Sequence, residues 1–114
     1  MEHALEEARL ADARGEVPVG AVLVRDGEII ARNGNRTLEL KDPTAHAEVL
    51  VIREASKKLN NERLTDCDLY VTLEPCPMCA GAISFARIRR LYFGASDQKS
   101  GAVESGVQYF SDIT

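Results

Sequence analysis

The stretch "VPVGAVLVRDGEIIARNG" (17–34) decides the fold: two β-rich runs flank Asp26-Gly27, a dipeptide suited to the positive φ angles of a tight hairpin turn. It reads as two antiparallel strands, and the sheet starts there. On its N-terminal side, residues 2–14 are rich in Ala, Leu, Glu and Arg and set Ala4, Leu5, Ala8 and Ala11 on one helical face, with Gly15 placed to stop the helix. On its C-terminal side, "NRTLELKDPT" (35–44) is polar, and "AHAEVLVIREASKKL" (45–59) predicts a second helix with basic residues near its C-terminal end. "DLYVTLE" (68–74) predicts a buried strand, Pro75 to Arg87 a third helix and "RRLYFGAS" (89–96) another strand. "DQKSGAVESG" (97–106) predicts a polar loop before a short final apolar piece. A hairpin followed by strands alternating with helices gives a mixed sheet covered by helices. The expected fold is a three-layer α/β/α sandwich in a single domain over 1–114.

Composition narrows the function classes. With 45% hydrophobic and 28% charged residues, the 114-residue chain suits one globular core and shows no low-complexity segment. The longest apolar runs fall well short of the ~20 residues of a membrane span, and "MEHALEEARL" (1–10) lacks a basic-then-apolar leader, so a cytoplasmic protein without membrane contact is expected. A net charge of -4 argues against broad nucleic-acid affinity but leaves room for a local basic patch. The densest basic cluster is Arg87, Arg89 and Arg90, which either meets phosphate or is simply solvated beside a strand.

Three cysteines in a reducing compartment make a disulfide framework unexpected, and Cys76 and Cys79 in "EPCPMCAGA" (74–82) read as a redox couple or a metal clip. Structural zinc normally takes four protein ligands, whereas besides Cys67, which sits apart in "DCDLYV" (66–71), this chain offers only two histidines, of which His3 lies in a terminal helix. Two thiolates and His46 leave an open fourth position, the pattern of catalytic zinc with a water in the vacancy. With Cys76 as helix cap and Pro77 at the first helical position, both sulfurs face one side at the positive end of the helix, where thiolates are favoured. His46 and Glu48 are two apart, which on a regular helix points them about 200° from one another. Both serve one site only if His46 sits at the irregular helix start, and the signals at Asp42, Pro43 and Thr44 put the start there. Glu48 then stands beside the water without ligating the metal, placed to take a proton and pass it on.

"HAE" (46–48) followed by "PCPMC" (75–79) resembles the zinc-dependent nucleobase and nucleoside deaminases. "EVPVGAVLV" (16–24), "NRTLELKDPTAHAEV" (35–49), "LYVTLEPCPMCAGAI" (69–83) and "RIRRLYFGASDQKSGA" (87–102) are similar to the bacterial deaminases that convert adenosine-34 of tRNA to inosine. The resemblance covers nearly the whole chain. It implies the cytidine deaminase-like fold, one zinc per subunit on His46, Cys76 and Cys79, and Glu48 as proton shuttle in hydrolytic loss of ammonia from C6 of adenine. It also implies a tRNA anticodon stem-loop as partner and a homodimer as the working unit.

On the substrate side the resemblance implies Asn35 as a hydrogen-bonding partner of the flipped base, beside the plainer reading of a turn Asn next to Gly34. Val17, Pro18 and Val19 are implied as pocket wall and Pro75 as a further substrate contact. The backbone N–H groups of Cys76 and Ala47 are implied as donors to the ring or its water, and Asp97 and Lys99 as a loop approaching the RNA. Chains of this family usually continue into a further helix over the sheet, whereas this sequence stops at "YFSDIT" (109–114), so that helix is expected to be absent. Two other readings remain open: a deaminase of free guanine, cytosine or cytidine, and a zinc-stabilised, non-catalytic subunit.

Overall fold

In the computed structural model, which describes residues 1–104 and 110, the chain runs α1 (Glu2–Ala13), β1 (Gly20–Arg25), β2 (Glu28–Gly34), α2 (Ala47–Leu59), β3 (Asp68–Leu73), α3 (Pro77–Ala86) and β4 (Arg90–Ala95). The final apolar piece expected from the sequence lies outside the described residues apart from Phe110.

Asp26 and Gly27 turn the hairpin with φ of 51° and 77°, the left-handed conformation expected of them. β1 pairs antiparallel with β2 and, on its other edge, antiparallel with β3; β3 pairs parallel with β4. The strand order is therefore β2-β1-β3-β4, a mixed sheet whose parallel step is bridged by α3.

Alternation along the strands divides the sheet into two faces. Ala21 and Leu23 of β1 and Leu69 and Val71 of β3 pack with Val51 and Ala55 of α2 and Ile83 and Ala86 of α3 in one buried cluster. The opposite face carries α1, which can approach closely because glycine stands beneath it: a Cβ on Gly34 would lie 2.6 Å from the Glu7 carbonyl oxygen, and one on Gly20 would meet Ala4 and Ala8. The helix surface pressed there is correspondingly small, with Ala4, Ala8 and Ala11 buried. Leu5 is a correction to the expected face. It is exposed, and buried Glu7 lies on the inner side instead, because its Oε2 accepts a 2.7 Å bond from Arg32 Nε on β2.

Two further differences have physical causes. β3 is not buried on both faces: Tyr70 points away from the core and stacks on Tyr92 at 4.8 Å, on a part of the sheet that α1, lying mainly over β1 and β2, covers less. The third helix starts at Pro77 rather than Pro75, since a residue before proline is disfavoured in helical conformation, and Cys76 is extended at φ -74°, ψ 173°. At their C-terminal ends α1 and α3 stop as the sequence requires. Gly15 at φ 83° donates to the Asp12 carbonyl, Glu16 donates to that of Ala11, and Arg87 closes α3 in the left-handed conformation.

Candidate active site

The ends of β2 and β3 and the N-termini of α2 and α3 supply one cleft of about 180 Å³. That is below the roughly 300–1,000 Å³ of sites for drug-sized ligands, and it suits a single heterocycle. His46 is the N-cap of α2, with φ -75° and ψ 152°, so its side chain leaves the helical path before Ala47 and Glu48 begin the first turn. That irregularity resolves the spacing problem, and both side chains line the same cleft.

Across from α2, Cys76 caps α3 and Cys79 lies one turn further on, buried. Cys79 Sγ stands 3.4 Å and Cys76 Sγ 3.7 Å from His46 Nδ1, and one ligand atom from each of the three residues falls within 4.8 Å of the others. Tetrahedral zinc with Zn–S near 2.3 Å and Zn–N near 2.1 Å requires sulfur and nitrogen about 3.6 Å apart, so the donor set fits zinc in both type and spacing. Among the described residues this is the one such group.

The charges are arranged for the same purpose. The neighbouring Cys79 side chain, the N–H groups of Cys79 and Met78 and the nearby His46 lower the Cys76 thiol to about 5, against the effect of burial. Cys79 moves the other way, because Cys76 already carries the charge, burial disfavours a second one and Glu48 lies close. Burial likewise pushes the Glu48 carboxyl above its ordinary value, opposed by its helix N-terminal N–H and by His46. Glu48 is 3% exposed, and its Oε1 has no hydrogen-bond partner. A buried oxygen left unpaired beside a metal-competent group is aimed at something the protein itself does not supply.

The remaining wall combines expected and unexpected residues. Val17, Val19, Asn35 and Asp97 line the cleft, as do Leu73, Glu74 and Ser100, which the sequence reading did not single out. Asn35 is no ordinary turn residue: buried, its Oδ1 accepts the Ala47 N–H at 2.8 Å, its own N–H donates to the Val19 carbonyl, and its carbonyl accepts Arg14. This corrects the reading of the Ala47 N–H as a free donor, since Asn35 already holds it. Pro18, Pro75 and Lys99 are outside the lining; the Lys99 N–H donates to Asp97 Oδ1, as does that of Ser100. Arg89 is committed to a two-pronged pair with Asp68, with both bonds at 3.0 Å, which takes it out of the proposed phosphate cluster. Glu16 was also missed. Its carboxylate accepts the N–H groups of Leu38 and Glu39 and the hydroxyl of Thr37, pinning the loop that leads from Asn35 to His46.

Comparison with known proteins agrees with this geometry. Residues 1–95 match the cytidine and deoxycytidylate deaminase zinc-binding region. A tRNA-specific adenosine deaminase of Agrobacterium fabrum is 69% identical over 114 residues, all of this chain and 75% of that protein. One of Haemophilus influenzae is 54% identical over 98% of this chain and 65% of its own length. A structure solved in a study of A-to-I editing by tRNA:A34 deaminases superposes with a TM-score of 0.97 at 69% identity, over 99% of this chain and 82% of that one. A guanine deaminase of Bacillus subtilis superposes at 0.81 with 46% identity, over 83% of this chain and 61% of that one. The chain belongs to the zinc-binding cytidine and deoxycytidylate deaminase family, and within it to the group of the tRNA-specific adenosine deaminases.

Proposed function

We propose that this protein deaminates adenosine-34 at the wobble position of tRNA to inosine by zinc-dependent hydrolysis. The observation that carries the chemistry is the orphaned Oε1 of buried Glu48 in the cleft that His46 and Cys76 also line. The 69% identity to a tRNA-specific adenosine deaminase, over all of this chain and 75% of that protein, supports the substrate.

His46, Cys76 and Cys79 would hold the zinc, which supplies the Lewis acidity that makes a water nucleophilic near neutral pH. Glu48 takes the proton of the attacking water and hands it to the nitrogen that leaves from C6, so one carboxylate serves as base and then as acid. Its raised affinity for protons brings it closer to the neutral range such a shuttle needs. Asn35, with Oδ1 fixed by Ala47, is left with its amide N–H₂ as a donor to the base. Val17 and Val19 give the cleft apolar wall, and Asp97 and Ser100 line it from the 97–104 loop that would meet the RNA. A wobble base is already unpaired, so turning it into a cleft of this size costs little.

Two finer readings accompany this one. No helix among the described residues is long and apolar enough to cross a membrane, in keeping with work on tRNA in the cytoplasm. The groove where α2 meets α3, lined by Val49, Ile52 and an 81% exposed Phe85, supports a homodimer with a second copy seated there.

The test is inosine formation in an anticodon stem-loop carrying adenosine-34 by zinc-loaded protein, beside Glu48→Ala and with free guanine, cytosine and cytidine as rivals. Glu48-dependent inosine is the expected result. Turnover of free guanine alone would transfer the assignment to the activity of the guanine deaminase neighbour, and silence on every substrate with zinc bound would leave a non-catalytic subunit.

A further inference from the structure

Glu74 lies directly after β3 and two residues before Cys76, is 3% exposed, and gathers in a loop that is distant in sequence. Its Oε1 accepts the Asp97 N–H at 2.9 Å, while Oε2 accepts the N–H groups of Val103 and Glu104 at 2.9 and 2.8 Å. Around these bonds the loop closes on the same segment: Ala102 N–H donates to the Pro75 carbonyl at 2.9 Å, and Gly101 N–H donates to that of Asp97 at 2.7 Å. Gly101 lies against the carboxylate. A Cβ there would stand 2.6 Å from Glu74 Oε1 and 2.5 Å from the Asp97 carbonyl oxygen, so the seat admits only glycine without displacement.

Three N–H donors converging on two oxygens require an acceptor at both positions, which a carboxylate provides and an amide does not. The loop in turn presents Asp97 and Ser100 to the cleft. Asp97 Oδ1 is occupied by the Lys99 and Ser100 N–H groups, and its Oδ2 has no hydrogen-bond partner among the described residues. The Glu74 carboxylate thus joins the strand that delivers the cysteine ligand to the loop that forms the outer lip.

We propose that Glu74 is a positioning residue for substrate binding: it holds the 97–104 loop in register with the metal-binding side chains and thereby sets the grip on the RNA, leaving the chemical step to Glu48. This rests on the reading of the protein as a tRNA adenosine deaminase. Glu74→Gln keeps the shape and places an N–H₂ group against at least one N–H donor, undoing part of the clamp. Gly101→Ala disturbs the same contact with Glu74 intact.

Hydrogen exchange and steady-state kinetics on the zinc-loaded full chain test it together. Both variants should exchange the amides of Asp97, Val103 and Glu104 at least roughly tenfold faster, with the amides of residues 46–48 and of Cys76, Met78 and Cys79 unchanged. For the stem-loop, KM should rise roughly tenfold or more while kcat stays within about threefold and zinc remains at one per chain. In an Asp97→Ala background, adding Glu74→Gln should raise KM little further, since one residue acts through the other. Unchanged loop exchange, a fall in kcat at constant KM, loss of zinc, or effects that multiply in the double variant would each overturn the proposal. Failure of wild type to form inosine would instead defeat the functional reading on which it rests, and is seen before any variant is compared.

Discussion

The Asn35 side chain and the Ala47 backbone are joined by a buried 2.8 Å hydrogen bond that ties the residue after β2 to the first turn of α2, between His46 and Glu48. The bond fixes the amide oxygen on the helix and so leaves the N–H₂ group as the donor end of a side chain that lines the cleft.

Asn35→Ala therefore has two separable costs. It leaves a buried N–H unpaired, a loss of about 1–3 kcal/mol in stability. It also removes the donor offered to the base, so inosine formation should fall on the order of tenfold or more. Asn35→Asp restores the acceptor, and a carboxylate is welcome at a helix N-terminus. Its melting temperature should return towards wild type while activity stays low. Thermal melts beside stem-loop assays measure both, and an Asp variant with full activity would exclude Asn35 as a donor.

Glu48→Gln should lower kcat about 10²–10⁴-fold, the usual contribution of a positioned acid–base group. Zinc content should stay at one per chain, because Glu48 is outside the ligand triad. Stability should be unchanged or higher: the carboxylate is buried, and its Oε1 has no partner to lose. Metal analysis and chemical denaturation check this, and a large drop in either would make Glu48 structural.

Most of this site was legible in the sequence because its parts are local. Cys76, Pro77 and Cys79 are set by one helix start, and the conflict between His46 and Glu48 spacing itself forced the prediction that His46 caps α2. Asp26-Gly27 fixed the hairpin in the same way. What escaped notice depends on distance. Glu16 and Glu74 act by accepting N–H groups 22 to 30 residues away, and nothing in an isolated glutamate reports which loop will fold onto it. Leu5 and Glu7 exchanged roles for a similar reason, since Arg32 on a strand decides which side of α1 is inward. An acidic residue ending an apolar strand just before Pro-Cys was the available signal for Glu74.

Zinc removal should silence the enzyme before it unfolds it. The three ligands join only the starts of α2 and α3, whereas the core cluster that holds both helices to the sheet contains none of them. Chelation is expected to abolish inosine formation with the far-ultraviolet dichroism nearly intact and a lower melting temperature, and added zinc should restore activity. Loss of secondary structure in step with activity would indicate a metal needed for folding.

Acid should weaken the fold through a few identifiable carboxyls. Burial pushes Glu16 upwards, but the N–H groups of Glu39 and Leu38, the Thr37 hydroxyl and the Arg14 charge together hold it below its ordinary value of 4.5. Hydrogen bonds from Thr44 lower Asp42, and the Arg89 pair lowers Asp68, both from 3.8. A group whose folded value is depressed contributes stability that is complete above its unfolded value and is lost as pH falls through the folded one. The contribution of these three carboxyls to the denaturation midpoint should thus be constant from neutral pH down to about 5 and be lost steeply below about 4. Glu16→Gln should start lower at neutral pH, because two loop N–H groups then face an amide, and should decline less on acidification because one of the titrating groups is gone. An acid limb as steep in the variant as in wild type would show that Glu16 does not tie the 37–39 loop through its charge.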